Sequence, residues 1–181
     1  MKIFDLRADF SVCCTFKFKQ GEDIHQWDEQ FMGIARPEGY AVPKGARRDE
    51  ENAEGPLPDY TDFALLYPTF SSRARECLGD LLTPYGEFAA IDMDEPIRYF
   101  AFNATTLIDV LDESKSKIAR FRSGGVMAVD RHVLLDSVTE LPPIFKIPQT
   151  RRNTTYVNET FVQRVQANGL QGFRFDLLFQ R

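Results

Sequence analysis

Histidine, cysteine and tryptophan are scarce in this chain, with 2, 3 and 1 of them in 181 residues. His25 and His132 have no cysteine or second histidine at ligand spacing, which argues against a zinc site. His25 stands near Trp27 on a helical pattern and His132 follows Arg131 in a strand or turn, so each reads as a structural or surface residue. Cys13 and Cys14 are neighbours that point to opposite faces of an extended segment, and with Cys77 they make no disulfide framework. That usage belongs to a reducing compartment. No apolar run approaches the roughly 20 residues needed to cross a bilayer. Asp5, Arg7 and Asp9 interrupt the N-terminal segment, which therefore lacks a signal-peptide core. The expected location is the cytoplasm.

An excess of basic charge is missing too. Lys and Arg number 22 against 27 Asp and Glu, a net charge of −5 and a pI near 5.1. A nucleic-acid partner is not expected, because neutralising phosphates needs a basic patch. Acidity of this size serves solubility, or forms a face that meets a basic partner. There is no G-x-S-x-G elbow and no G-x-x-x-x-G-K-[ST] loop. Ser123-Gly124-Gly125 lacks the lysine and the helix of a phosphate loop, and reads as a hairpin turn between strands at 118–122 and 126–135. Nothing in this inventory asks for a cofactor, a metal or a catalytic residue.

Phenylalanine, by contrast, is plentiful, with 16 residues that fall mostly in extended patterns. Large aromatic side chains fit pleated surfaces, so the sequence predicts substantial sheet. Residues 2–19 read as two strands, with Cys14, Phe16 and Phe18 alternating against Thr15, Lys17 and Lys19. Ile24, Trp27, Phe31 and Ile34 fall at helical spacing, which predicts a helix over 22–33 ended by Gly33 and Pro37. Residues 63–70 look extended. Ser71 or Ser72 then caps a helix whose apolar stripe is Ala74, Cys77, Leu78, Leu81 and Leu82. On that stripe the Cys77 thiol is inert. Pro84 and Gly86 stop the helix, and strands follow from Phe88, from Ile97 to Ala104 and at 143–147. Asn158 caps a second helix bearing Phe161, Val162 and Val165, Gly169 supplies its left-handed end, and Phe173, Phe175 and Leu177 alternate in a last strand.

The two capped helices sit in similar surroundings: strand, polar cap, apolar helix, glycine stop, strand. The pattern predicts an α+β fold, a mostly antiparallel sheet with a few short helices packed on it as a single layered domain over 1–181. A long polar loop at about 36–62 stands apart. It holds four basic and seven acidic residues, so more than half of the net charge sits there. A stretch of this length without a periodic pattern reads as a linker or a partner-contacting loop.

Two acidic clusters remain. Asp92 and Asp94 lie at i and i+2, on one face of an extended segment. Asp109 and Asp112 are predicted on a helical turn at i and i+3. Either could gather a hard cation if more oxygens converged. The plainer reading is that Asp92 to Pro96 is a turn and that 112–117 is a solvated face of mixed charge.

From residue 56 onward the order of features resembles a known family. Pro56-Leu57-Pro58-Asp59-Tyr60 comes first, then Ser71-Ser72-Arg73-Ala74-Arg75-Glu76-Cys77-Leu78, then Tyr99-Phe100-Ala101-Phe102-Asn103. Ile108-Asp109-Val110-Leu111-Asp112 and Leu141-Pro142-Pro143-Ile144-Phe145 follow, and Gly169-Leu170-Gln171-Gly172-Phe173-Arg174-Phe175 closes the series. This succession is similar to the eleventh immunity-protein family of bacterial polymorphic toxin systems. The resemblance implies a cytoplasmic, non-enzymatic protein that binds and neutralises a cognate protein toxin; the charge balance and the lack of a long apolar run give no nucleic-acid or membrane partner to expect beside it. It carries no catalytic motif across, and Ser71, Ser72, Gly169, Gly172 and Pro142-Pro143 look structural.

An acidic surface suits a basic toxin, so the candidate contact residues are Asp49, Glu50, Glu51, Asp92, Asp94, Asp109 and Asp112. Two other readings lead elsewhere. A hydrolase would use Asp92, Asp94 and His132, and a structural or regulatory scaffold would show self-association.

Overall fold

The computed structural model describes residues 1–22, 27, 33–36, 42–48, 54–64, 67–151 and 153–181. Among them the strands are β1 (Lys2–Ala8), β2 (Phe16–Phe18), β3 (Lys44–Arg47), β4 (Tyr60–Phe63), β5 (Tyr67–Ser71), β6 (Gly86–Met93), β7 (Tyr99–Ala104), β8 (Lys117–Arg120), β9 (Val126–Arg131), β10 (Ile144–Phe145), β11 (Tyr156–Asn158) and β12 (Phe173–Gln180). The helices are α1 (Ser72–Leu82) and α2 (Glu159–Ala167). Neither is long and apolar enough to cross a membrane.

The strands form a six-stranded sheet in the order β2-β3-β6-β7-β5-β4, a four-stranded sheet in the order β10-β11-β1-β12, and the separate hairpin β8-β9. Pairing is antiparallel except between β3 and β6. The α+β architecture expected from the sequence is the one observed.

The two similar stretches turn out to be topological equivalents. In the larger sheet β5 and β6 flank β7 and run antiparallel to it, so they are parallel to each other. Parallel strands of one sheet need a crossover to join them, and α1 makes it. In the smaller sheet β11 and β12 flank β1 in the same way, and α2 makes the crossover. The difference lies in the central strand: β7 follows its unit, whereas β1 comes from the other end of the chain.

Both helices are built as their caps predict. The Ser71 hydroxyl accepts from Ala74 N at 3.0 Å, and the Asn158 side chain accepts from Phe161 N at 3.1 Å. Each cap satisfies an N–H that the first turn leaves free. Ala74, Leu78 and Leu82 of α1 and Phe161 and Val165 of α2 then enter one core with Leu6, Tyr60, Phe70 and Phe102. Burying a side chain the size of Leu78 or Phe161, both fully buried, contributes roughly 1.5–3 kcal/mol. A second core gathers Cys14, Phe16, Trp27, Phe63 and Tyr99, and a third gathers Ile3, Leu111, Leu134, Phe145 and Tyr156.

The structure departs from the sequence reading in the long loop. The stretch at 36–62 is not loop throughout, because Lys44–Arg47 forms β3 and Tyr60–Phe63 forms β4. Strand β3 has little apolar patterning; it is held by main-chain pairing to β2 and β6 and by Gly45, whose missing side chain lets Phe63 and Met93 close over it. The helix expected at 22–33 lies largely outside the described residues. Trp27 is described, and it packs edge-on at 6.2 Å to both Phe18 and Tyr67.

Candidate partner-binding surfaces

The acidic candidates fall on separate surfaces. Asp92 is the last residue but one of β6 and Asp94 begins the turn to β7, and both residues are exposed. Their neighbour Glu95 is half-buried against Arg47, which donates to it through Nε at 2.6 Å and Nη2 at 2.9 Å. A depression of about 540 Å³ opens beside this turn, lined by Asp92, Met93, Arg98 and Phe100. Asp49, Glu50 and Glu51 lie outside the described residues.

Asp109 and Asp112 do not share a helical turn. Residues 107–111 form no helix and make isolated bridges from Leu107 to Lys146 and from Leu111 to Leu134. Long-range pairing to two other segments outweighs the weak local helical spacing. Asp109 is exposed and accepts from Gln149 Nε2 at 3.3 Å. The same amide nitrogen donates to Glu113 at 2.9 Å, and Arg120 holds Glu113 from the other side at 2.7 Å. Asp112 instead heads a turn. Its carboxylate accepts from the Ser114 hydroxyl at 2.6 Å and from the Ser114 and Lys115 amides, and Lys115 Nζ stands 3.1 Å away. The Ser114 and Lys115 contacts hold its pKa below the usual carboxylate value.

A third region has no counterpart in the sequence reading. Asp5 and Arg7 on β1, Tyr156 on β11 and His132 after β9 line a depression of about 310 Å³. Asp5 and His132 are each 8% exposed. Arg7 Nε donates to Asp5 Oδ2 at 2.8 Å, while His132 Nε2 and Thr150 Oγ1 lie 3.1 and 2.7 Å from the Tyr156 hydroxyl. Burial pushes the Asp5 carboxyl up to about 6 against the pull of Arg7, lowers the His132 imidazole and lifts Tyr156 to about 12. In the sequence Asp5 and Arg7 appear only as charges interrupting an apolar segment, and His132 as a lone histidine that the hydrolase reading joins to Asp92 and Asp94. The sole local signal is that Asp5 shares a strand face with Ile3. His132 and the Asp92–Asp94 turn line different depressions, so the three residues of the hydrolase reading do not converge.

Asp5 gives the molecule a testable pH dependence. A carboxyl whose folded pKa lies above its unfolded value stabilises the fold fully below about pH 3.8, and that stabilisation is lost as pH rises through about 6. At about 1.4 kcal/mol per pKa unit the loss is about 3 kcal/mol. Asp5→Asn is therefore expected to gain about 2–3 kcal/mol on the wild type between pH 4 and pH 7. Urea midpoints at the two pH values check this, and a constant difference between the two proteins would refute it.

Three of the features that carried the resemblance, around Asp59, Ser71–Arg73 and Gly169–Gln171, converge in space. Asp59 Oδ1 accepts from the Ser71 hydroxyl at 3.0 Å; its Oδ2 accepts from Arg73 Nη1 at 2.7 Å and from Gln171 N at 3.0 Å. Gln171 O receives the amides of Asp59 and Tyr60. Arg73 also reaches Asn168 O at 2.8 Å. One junction thus ties the start of α1 to the loop after α2 and locks the two crossover units together. The profile of the immunity protein family Imm11 matches residues 22–178. The chain belongs to that family. The match to the Imm11 family begins well before residue 56, taking in β3 and β4 and the segments around them. No curated protein matches the chain.

Proposed function

We propose that this Imm11 protein is a non-enzymatic antidote that binds a cognate toxin in the bacterial cytoplasm and blocks it. The family match over residues 22–178 carries this reading. Inhibition by binding needs a rigid frame and about 800 Å² of complementary surface on each partner. Three cores and two interlocked crossover units supply such a frame within one domain. Asp92, Asp94 and Asp109 are exposed, and with Asp49, Glu50 and Glu51 they form the acidic side of the contact; Asp112 is occupied in its own turn.

Coexpression with the C-terminal domain of the toxin encoded beside this protein provides the test. The expected result is restored growth and co-purification as a stable complex. Restored growth without a complex would overturn the binding reading. Charge reversal by Asp49→Lys, Glu50→Lys and Glu51→Lys is expected to slow association about tenfold at low salt. An unchanged on-rate would remove that segment from the contact.

A further inference from the structure

The depression around Asp5 and His132 continues into a second one of about 250 Å³, since Thr150, Arg151's neighbour, and Asn153 line both. Together they form a trough between the β8-β9 hairpin and residues 148–151, 153 and 154. Buried polar atoms in folded proteins nearly always have a hydrogen-bond partner, so those without one call for explanation. Asp5 Oδ1, His132 Nδ1 and Gln149 Oε1 are buried and have none. All three belong to residues that line this trough. The orientation of Gln149 is settled by its contacts, because turning the amide over would set its oxygen against the carboxylates of Asp109 and Glu113.

The trough also runs along an open strand edge. Strand β9 pairs with β8 and with no other strand among the described residues. Ile118 and Val129 seat the hairpin on the third core. Met127, Ala128 and Val129 all line the depression. Successive strand residues point to opposite faces, so three in a row mark an edge. Next to this edge Phe121 and Met127 are 55% and 51% exposed. Arg122 at the hairpin tip and Arg151 in the second depression are exposed, and no carboxylate among the described residues pairs with either.

We propose that this trough receives an extended, acidic segment of the toxin, laid along the free edge of β9. The proposal rests on the toxin-binding reading above and adds a surface of opposite charge to the acidic one. Three features select the occupant. The unpartnered oxygens of Asp5 and Gln149 need N–H donors, which main-chain and amide groups supply. Arg122 and Arg151 need acceptors, which Asp or Glu side chains supply. Phe121 and Met127 offer apolar contact, and an open edge accepts an added strand through main-chain bonds. A small anion would satisfy the guanidinium groups and leave the oxygens unmet.

The test uses the full chain and the C-terminal domain of the toxin encoded beside it. Hydrogen exchange is expected to show the β9 amides that face its open edge, those not bonded to β8, protected in the complex and not in the free protein. Arg122→Glu with Arg151→Glu is expected to weaken the complex at least about tenfold with an unchanged melting temperature. Should that pair of changes lower the melting temperature, Phe121→Ala serves in its place with the same expected loss. A complex that forms with wild-type affinity in these variants, or leaves β9 unprotected, overturns the trough and spares the antidote reading. Protection of β9 in the protein alone at high concentration makes a second copy the occupant and overturns it as well. Failure of the wild type to bind at all overturns both.

Discussion

Gly172→Ala is expected to destabilise the protein by about 3 kcal/mol or more, whereas Gly169→Ala, three residues earlier, costs about 1 kcal/mol. Both glycines sit at positive φ, +88° and +57°. A side chain at Gly169 would meet nothing within 4 Å, so only the left-handed backbone is at stake. A Cβ at Gly172 would overlap the Tyr60 carbonyl oxygen and stand 2.9 Å from Pro58 Cβ. Those atoms belong to the junction between the crossover units, where Gly172 O also accepts from Asp9 N at 2.9 Å. Neither backbone can retreat without breaking a bond. At about 2–4 °C per kcal/mol for a chain of this size, the melting temperature should fall about 10 °C for Gly172→Ala and about 3 °C for Gly169→Ala. Equal shifts in a thermal scan would show that close approach contributes nothing.

Asp59→Ala should be of similar severity, a loss of about 3–4 kcal/mol. The residue is 8% exposed, and its side chain accepts hydrogen bonds from Ser71, Arg73 and Gln171. Removing it strands the buried Ser71 hydroxyl and the Gln171 amide, and an unmet buried donor costs about 1–3 kcal/mol. The ion pair adds little, because Arg73 is 55% exposed and solvent takes it over. Asp59→Asn keeps one acceptor oxygen and is expected to lose about half as much. Chemical denaturation of the three proteins checks the order. An Asn variant as unstable as the Ala variant would assign the effect to charge and not to hydrogen bonding.

These two residues illustrate how much the sequence disclosed. Gly172 and Asp59 stood out in the resemblance as parts of separate motifs, and Gly172 looked like one more turn glycine. Nothing local distinguishes it from Gly169, since the reason for Gly172 is a carbonyl brought to it by folding. The helix caps were legible because a cap is a local device: Ser71 and Asn158 bond to amides three residues ahead. Strand β3 was not legible, because it is held by its neighbours in the sheet and not by any pattern of its own. The same limit applied to the candidate contacts. Asp112 counted as acidic surface by its place in a charged run, yet the turn at Ser114–Lys115 engages it.

By itself, then, the scarcity of histidine and cysteine left no metal or nucleophile pattern, and the alternation, caps and glycine stops determined the order and kind of most elements. Those are short-range properties, set by hydrogen bonds and side-chain spacing within a few residues. Tertiary structure decided which strand each unit takes as its centre, and it seated β1 between β11 and β12, with Asp5 opposite Tyr156 and Asp176. It also brought Asp5 to His132 and left the edge of β9 open. Such outcomes depend on which distant surfaces bury each other, and that free energy exists only once the whole chain has closed around its cores.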